Sequence, residues 1–325
     1  MALLVGTDAG VYRLNDTGTA GRVLDTGRAF ELSESGGTVY AATERGLYAT
    51  DDSGDSWIDL GVPAPERRAS SAEVWSVHEA EDGRVFAGTY PARLYSSTDG
   101  GQWDELRSLQ SVPERDRWRS PGDPDAGRVR TIRPVAGQPD RILVGVEVGG
   151  LYRSDDRGDT WTRCGSLPED DIHHVTVLGP EEYLVCCGKL DLNGDHSTGG
   201  LFRTTDGGDS WGRLDLGEHS YVRESLVHDG TLYVSGARVT PGNWGGENGA
   251  QAALLESRDG GDTFDSVPYP GEPTEIVLSW AVDGGRVYGG TGTRAYDEGR
   301  VIHRDDDGWH DVERLPANVY SLASI

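Results

Sequence analysis

Lysine is almost absent from this sequence, although arginine is not. Lys189 is the only lysine, so 29 of the 30 basic residues are arginine, and 55 acidic residues bring the formal charge to −25. An acidic surface with so little lysine is typical of proteins from salt-accumulating halophiles, because high salt screens the self-repulsion of the charge. The same negative charge repels phosphate groups, so we expect no nucleic-acid partner.

Cysteine, long apolar runs and helical periodicity are also scarce. The chain has three cysteines, which are Cys164, Cys186 and Cys187. An odd number with two adjacent residues does not fit a disulfide framework. No stretch approaches the ~18 consecutive apolar residues of a membrane helix, and the N-terminal stretch lacks the basic and apolar regions of a signal peptide. We therefore expect a cytoplasmic protein in a reducing compartment, with no membrane partner.

Glycine, by contrast, is abundant, with 47 residues, and it recurs in each copy of one repeated motif. The stretch Ser154–Trp161 reads S-D-D-R-G-D-T-W and follows the pattern S-x-D-x-G-x-[ST]-W. Complete or shortened copies stand at Thr50–Trp57, Ser97–Trp103, Thr204–Trp211, Ser257–Phe264 and Asp305–Trp309. The third-position aspartates are Asp52, Asp99, Asp156, Asp206, Asp259 and Asp306, separated by 47 to 57 residues. A period of this size indicates an array of supersecondary units.

Each part of the motif has a structural explanation. The aspartate and serine side chains can accept hydrogen bonds from backbone N–H groups of their own turn. The glycine supplies a positive φ, and the tryptophan buries a large ring directly after the turn. We therefore interpret the motif as a device that folds and clamps a hairpin tip, and not as a set of catalytic aspartates.

The strands before each motif align into seven units. In the fourth unit they are Ile142–Gly145 and Gly150–Tyr152. The first unit lacks its opening strand, and the last strand, Asn318–Ala323, is comparable with the opening strand Val74–Val77 of the third unit. We predict an all-β fold, a seven-bladed β-propeller of four-stranded antiparallel blades, whose first blade is closed by the C-terminal strand. One domain over residues 1–325 follows, since each blade contacts two others.

The repeated motif resembles the Asp-box, or bacterial neuraminidase repeat, over nearly the whole chain. That repeat occurs in sialidases and other glycoside hydrolases, in sortilin-type receptors and in photosystem II assembly factors, all with propellers or propeller-like blades. The resemblance implies the fold strongly. It does not imply one function, because enzymes and binding proteins share the repeat.

The topology of a four-stranded meander sorts the loops into two faces. The repeated motifs lie at one end of the blades, and the uneven loops between second and third strands and between blades lie at the other. Three long loops, 107–127, 189–199 and 237–251, fall at this second end, which we call the long-loop face. Long loops without regular structure are commonly functional, so we expect a small molecule, glycan or protein to bind there.

Aromatic and arginine residues are the first candidates on the long-loop face. Trp118 beside Arg119, and Trp244, could stack on a sugar or aromatic ligand. Arg130 and Arg223 stand near the starts of opening strands, where they could bind an anion or brace neighbouring blades.

Histidines are the second group of candidates. His173, His174 and His196 belong to the fifth unit, and Glu147 precedes them on the fourth. Imidazole with carboxylate suits Zn, Mn or Fe(II), or an acid–base pair, although ordinary surface histidines are the favoured interpretation.

The loop after the fifth unit's second strand offers a divalent-cation site of another kind. Asp191, Asn193 and Asp195 form the first half of a calcium loop, but His196 replaces the glycine and Phe202 the glutamate that such a loop requires. An acidic Asn-Gly turn explains the same residues without a metal.

Three functional hypotheses remain at this point. The favoured one is a binding protein that uses the long-loop face. The second is a glycoside hydrolase with two of the face carboxylates, the candidates being Glu147, Asp191, Asp195, Glu224, Glu247 and Asp297. The third is a metal-dependent hydrolase or lyase centred on the histidines of the fifth blade.

Overall fold

Short strands joined by glycine-rich turns make up almost all of the regular structure. The computed structural model describes residues 3–15, 18, 20–65, 73–119, 126–189, 198–244, 249–268, 270–272, 274–293 and 298–325. The strands of these ranges are β1 (Leu3–Thr7), β2 (Gly10–Leu14), β3 (Ala20–Leu24), β4 (Ala29–Ser35), β5 (Thr38–Thr43), β6 (Gly46–Thr50), β7 (Ile58–Asp59), β8 (Glu73–Glu79), β9 (Val85–Tyr90), β10 (Leu94–Ser97), β11 (Asp104–Glu105), β12 (Arg128–Val135), β13 (Gln138–Glu147), β14 (Gly150–Ser154), β15 (Thr162–Arg163), β16 (Ile172–Val177), β17 (Tyr183–Cys187), β18 (Gly200–Thr204), β19 (Gly212–Leu214), β20 (Tyr221–His228), β21 (Thr231–Ala237), β22 (Ala253–Ser257), β23 (Asp265–Val267), β24 (Ile276–Asp283), β25 (Arg286–Gly292), β26 (Gly299–Asp305), β27 (Gly308–Leu315) and β28 (Val319–Ser324). Short 3-10 helices lie at Arg107–Ser111, Arg115–Arg117 and Pro241–Asn243.

The strands of the described ranges pair into seven antiparallel sheets of four strands each, which are the blades. Blade 1 has the order β28-β1-β2-β3, and blades 2 to 7 take β4–β7, β8–β11, β12–β15, β16–β19, β20–β23 and β24–β27. The prediction of an all-β, seven-bladed propeller is confirmed.

The C-terminal strand completes blade 1. β28 pairs antiparallel with β1, and Val5 lies opposite Leu322. The backbone N–H of Leu32 in β4 donates a hydrogen bond of 2.8 Å to Ser321 Oγ, which links β28 to blade 2 as well. β1 is thus paired on both sides, by β28 and β2. The predicted closure of the first blade is confirmed, and it removes an edge that would otherwise be open.

The chain falls into two compact units. Unit 1 comprises Met1–Ala41, Ala49–Ile58 and Leu214–Ile325 and contains blades 1, 6 and 7. Unit 2 comprises Ala42–Tyr48 and Asp59–Arg213 and contains blades 3 and 4 and strands β16 to β18 of blade 5. The assignment of residues 1–325 to a single domain stays a prediction.

Glycines in the second strands let neighbouring blades of unit 2 approach each other closely. A Cβ atom on Gly145 would lie 2.5 Å from Ile172 Cγ2 and 2.6 Å from Thr131 Cγ2. A Cβ atom on Gly88 would lie 2.4 Å from Val129 Cγ1. β-branched side chains from opening strands therefore fill the space that these glycines leave. The apolar core of the unit is close-packed from blade to blade as a result.

The repeated motif forms the clamped turn that the sequence predicts. Ser154 Oγ donates to Asp156 Oδ1 at 2.8 Å and accepts the N–H of Gly158 at 2.8 Å. Thr160 donates its N–H to Asp156 Oδ1 at 2.8 Å and its hydroxyl to Oδ2 at 2.6 Å. Gly158 has a φ of +95°, which a residue with a side chain would resist. These bonds, led by that of the Thr160 hydroxyl, hold the pKa of Asp156 below its usual value.

Three further turns repeat these contacts, and two differ. Asp52, Asp206 and Asp259 each accept from the residue four positions later. Asp99 accepts instead from the N–H groups of Gly101 and Gln102, because its turn is one residue shorter. The prediction for Asp306 is wrong. In the two-residue turn between β26 and β27, Asp305 accepts the N–H of Asp307 at 3.0 Å, and Asp306 makes none of the clamp bonds within the described part of the chain.

The three cysteines are buried and free, in agreement with the expectation of no disulfide framework. Burial raises the pKa of the Cys164 thiol to about 11 and that of Cys187 well above its usual value. Neither thiol is therefore a reactive thiolate at neutral pH. None of the helices in the described ranges has the length and apolar character needed to span a membrane.

Candidate functional site

Two carboxylates and an imidazole converge at the junction of blades 4 and 5 in unit 2. Glu147 is the last residue of β13, and Asp171, directly before β16, forms an antiparallel bridge with it. His173 follows in β16. One oxygen of each carboxylate and one ring nitrogen of His173 all lie within 4.8 Å of one another. We call Glu147, Asp171 and His173 the carboxylate–histidine cluster.

The backbone around the carboxylate–histidine cluster is shaped to receive these side chains. Gly188, which follows β17, donates its N–H to the carbonyl of Asp171 at 2.8 Å. A Cβ atom on Gly188 would lie 2.0 Å from Asp171 Oδ2 and 2.6 Å from His173 Cε1. Only glycine leaves room for both side chains at this position.

The carboxylate–histidine cluster places two carboxylates in a buried environment. The three residues are 7%, 2% and 4% exposed for Glu147, Asp171 and His173. Arg128 Nη1 lies 3.3 Å from Glu147 Oε2, and His173 Nε2 lies 3.4 Å from Asp171 Oδ1. Asp171 Oδ1 accepts no hydrogen bond from the described residues. Burying two carboxylates is unfavourable unless cations or donors approach both of them.

Arginine and tryptophan form a layer next to this cluster. The guanidinium carbon of Arg128 lies 4.1 Å from the Trp75 ring centroid and 5.2 Å from that of Tyr90. The guanidinium carbon of Arg130 lies 5.4 Å from the same Trp75 ring. Trp75 Nε1 donates to Glu73 Oε2 at 2.9 Å. We call Trp75, Arg128 and Arg130 the arginine–tryptophan layer. It stands at the starts of β8 and β12, which the topology assigns to the long-loop face.

Trp118 is not a stacking platform, and that prediction is wrong. Its ring is 0% exposed, and Nε1 donates to the hydroxyl of Tyr152 at 2.9 Å. Tyr152 in turn donates to the carbonyl of Gly149 at 3.0 Å, and burial raises the pKa of Tyr152 to about 12. The loop therefore folds its tryptophan into the core of blade 4. Arg119 donates to the carbonyls of Asp116 and Trp118, which fastens the same loop.

Trp244 in unit 1 is likewise buried, so its prediction as a stacking platform is also wrong. The ring is 4% exposed, packs edge-on against Tyr221 at a centroid distance of 5.4 Å, and donates from Nε1 to the carbonyl of Val239 at 2.8 Å. Arg223 lies in β20 and is partly exposed. It interacts electrostatically with Tyr320 of the same unit. A ligand-binding role of Arg223 stays a prediction.

The structure separates the predicted histidines. His173 belongs to the carboxylate–histidine cluster, but His174 Nε2 lies 2.7 Å from Arg133 Nη2 and its Nδ1 lies 3.4 Å from Thr176 Oγ1. Because an arginine side chain only donates hydrogen bonds, His174 Nε2 must be the acceptor of the bond from Arg133. This ring nitrogen is therefore not available as a metal ligand.

Several predicted residues lie outside the described ranges. They are Asp191, Asn193, Asp195 and His196 of the calcium-like loop, together with Glu247 and Asp297. The calcium site and the contribution of His196 stay predictions.

Sequence reasoning missed Asp171, Arg128 and Trp75. A signal for each was present. Asp171 and His173 are two residues apart at the start of a strand, as are Arg128 and Arg130, and such spacing places side chains on one face. Trp75 occupies the third position of its opening strand, and Tyr320 occupies the second position of the last strand. What the sequence did not show is that neighbouring blades bring these pairs together.

The fold is that of a seven-bladed β-propeller, and comparison with known proteins places it among propellers of several functions. No protein-family model and no curated protein matches this sequence. An ancestral GH74 enzyme superposes with a TM-score of 0.60 at 14% identity, over 88% of this chain and 38% of the enzyme. This chain thus spans well under half of that enzyme's length.

Two further propellers show a similar likeness over most of their length. YCF48 bound to D1 peptide has a TM-score of 0.55 at 14% identity, covering 96% of this chain and 84% of YCF48. The WD40 propeller domain of Doa1 has a TM-score of 0.60 at 11% identity, covering 95% of this chain and 91% of that domain. At such identities the likeness establishes the propeller fold and nothing finer.

Proposed function

We propose that this chain is a non-catalytic binding propeller that recognises a carboxylate-rich peptide segment on the long-loop face of unit 2. The observation that carries the proposal is the arginine–tryptophan layer, in which two guanidinium groups lie against one indole ring. The positive charge of the two guanidinium groups is complementary to an anionic partner.

The chemistry of the layer favours a carboxylate over a sugar ring. Trp75 and Tyr90 are 9% and 3% exposed, and arginines cover their rings, so little aromatic surface remains for a sugar. A guanidinium group matches a carboxylate through two parallel hydrogen bonds. We assign ligand binding chiefly to Arg130, whose guanidinium carbon lies 5.4 Å from the Trp75 ring centroid.

The same burial argues against glycoside hydrolysis at this site. A glycosidase needs two carboxyl groups that reach the scissile bond, one of them to donate a proton. Glu147 and Asp171 are the paired carboxylates here, but they are 7% and 2% exposed and Glu147 is engaged by Arg128. A sugar cannot lie between them without opening the blade junction.

The comparisons support a binding role without defining the partner. YCF48 is seen bound to D1 peptide, and it covers nearly the same length of propeller as this chain. The four clamped turns with full Asp-box bonding also support a place among Asp-box repeat proteins. The acidic, lysine-poor composition supports a cytoplasmic protein adapted to high salt.

The test is calorimetric titration in 0.5 M KCl with a synthetic acidic peptide, an N-acetylated octamer of alternating Glu and Ala. We expect saturable binding that weakens about ten- to hundredfold in Arg130→Gln, the loss typical of a charge-assisted hydrogen bond. The matched control is Arg107→Gln, whose side chain is 84% exposed in the same unit. Equal losses in both variants, no binding of the acidic octamer by the wild type, or equally tight binding of a Gln-for-Glu octamer would contradict the proposal.

A further inference from the structure

The carboxylate–histidine cluster has the composition of a metal site, and it shares no residue with the arginine–tryptophan layer. We infer that Glu147, Asp171 and His173 bind one divalent transition-metal cation, with Zn²⁺ or Mn²⁺ as the matching ions. Two carboxylates with one imidazole suit these cations. Calcium fits poorly, because it requires six to eight oxygen ligands.

The distances permit coordination after small side-chain movements. Zn²⁺ binds nitrogen and oxygen ligands at about 2.0–2.2 Å, so ligand atoms around one ion lie about 3.3–3.6 Å apart. The three candidate atoms already lie within 4.8 Å of one another. A change of carboxylate rotamer can bring these atoms closer while the backbone bridge between Glu147 and Asp171 stays in place.

Charge balance also points to a cation. Glu147 and Asp171 bring two carboxylates into this buried cluster, and Arg128 approaches Glu147 at 3.3 Å. Asp171 Oδ1, 2% exposed at its residue, accepts no hydrogen bond within the described chain and faces His173 Nε2 at 3.4 Å. A carboxylate has about four lone-pair sites, so Glu147 can hold both Arg128 and an ion.

Gly188 adds an observation that is independent of the ligands themselves. Its missing side chain leaves the space that Asp171 and His173 fill, since a Cβ atom would overlap both side chains.

Three protein ligands would leave one position of a tetrahedral ion open, which is the arrangement of zinc sites that hold water or a ligand group.

The experiment uses the full chain, stripped with EDTA and dialysed into metal-free KCl buffer. Zn²⁺ and Mn²⁺ are titrated separately by calorimetry, and bound metal is measured by elemental analysis after desalting. We expect one high-affinity equivalent of at least one ion, and at least a hundredfold weaker binding in Asp171→Asn and His173→Gln. Absence of binding for both ions would overturn the inference.

The control variant is His310→Gln, which removes a second histidine–carboxylate contact, between His310 Nε2 and Asp305 Oδ1 at 3.0 Å in unit 1. Loss of the bound equivalent in this variant, with retention in His173→Gln, would assign the metal to the surface and overturn the inference. If the cluster variants fail to fold, by circular dichroism, anomalous diffraction at the zinc edge of wild-type crystals decides. A peak between the three side chains supports the site, and a peak elsewhere refutes it. Neither result depends on peptide binding.

Discussion

Arg128 of blade 4 lies 4.1 Å from the ring centroid of Trp75 in blade 3, so one opening strand holds the next through a cation–π contact. Unit 1 contains a similar pair, in which Arg28, directly before β4, lies 5.0 Å from the ring centroid of Tyr320 in β28. An arginine on the opening strand of one blade and an aromatic ring on that of its neighbour therefore recur as a bracing device.

The brace at Arg128 should stabilise the protein measurably. In Arg128→Ala the contacts with Trp75 and Tyr90 are lost, and the buried carboxylate of Glu147 loses its cation. We expect the free energy of unfolding to fall by about 3–5 kcal/mol, the usual result of removing one partner of a buried ion pair. Urea unfolding at fixed KCl measures it. Arg107→Ala, with its 84% exposed side chain, should change the value by less than about 0.5 kcal/mol. Similar effects for the two variants would contradict the brace.

The clamped turns should stabilise the fold only where the hydrogen bonds are present. Asp156→Ala removes an acceptor for Ser154 and for both groups of Thr160, so we expect a lower Tm by calorimetry. Asp306→Ala is the matched control, because Asp306 makes none of the clamp bonds within the described residues. A drop in Tm for Asp306→Ala as large as for Asp156→Ala would show that acidic residues matter in these turns for another reason.

Acid should remove the contribution of Asp52 in a defined pH window. Hydrogen bonds, chiefly from the Ser56 hydroxyl, lower the pKa of Asp52 to about 2. A folded-state pKa below the unfolded value of about 3.9 stabilises the protein above that value, and the stabilisation disappears as pH falls toward the folded pKa. The Tm difference between wild type and Asp52→Ala should be constant above pH 5 and shrink between pH 4 and 2. A difference that grows on acidification has the wrong sign for this mechanism.

A side chain at position 145 should destabilise the protein, because Gly145 is in close contact with two opening strands. In Gly145→Ala the added methyl group meets Ile172 Cγ2 at 2.5 Å and Thr131 Cγ2 at 2.6 Å, so the opening strands must shift. We expect a loss of about 1–3 kcal/mol in unfolding free energy, as for overpacked cores. Gly165→Ala, where the nearest atom is a carbonyl oxygen at 3.9 Å, should be neutral. Equal stability of the two variants in urea would show that the blades are packed more loosely than described.

Salt should stabilise the chain if its charge reflects adaptation to high ionic strength. At a formal charge of −25 the folded state repels itself, and raising KCl from 0.1 to 1 M shortens the screening length from about 10 Å to about 3 Å. We expect the Tm to rise steadily with KCl over that range. A Tm that is flat or falls with KCl would argue against the halophilic interpretation.

The sequence predicted the blades and the clamped turns well because their determinants are local. The bonds of Asp156 all join residues within four positions, so the motif alone specifies them. Burial of Trp118 could not be predicted in the same way, since it depends on a hydroxyl 34 positions away in Tyr152. The composition of the loop indicated that the Trp118 ring is exposed, but the ring is packed in the apolar core of blade 4.

The candidate site was predicted only in part for a related reason. Glu147 and His173 were both candidates from the sequence, but their meeting depends on the bridge that Asp171 forms between two blades. Residue spacing within a strand indicates which side chains share a face, and it does not show which faces of neighbouring blades meet. Arg128 and Trp75, 53 positions apart, show the same limit.

The central claim, that the arginine–tryptophan layer receives a carboxylate-rich ligand, is tested most directly by hydrogen–deuterium exchange with and without the acidic octamer. The account predicts slower exchange in peptides that cover Glu73–Glu79 and Arg128–Val135, and unchanged exchange in the clamped turns around Asp156 and Asp206. Protection confined to those turns, or no protection at saturating peptide, would contradict it.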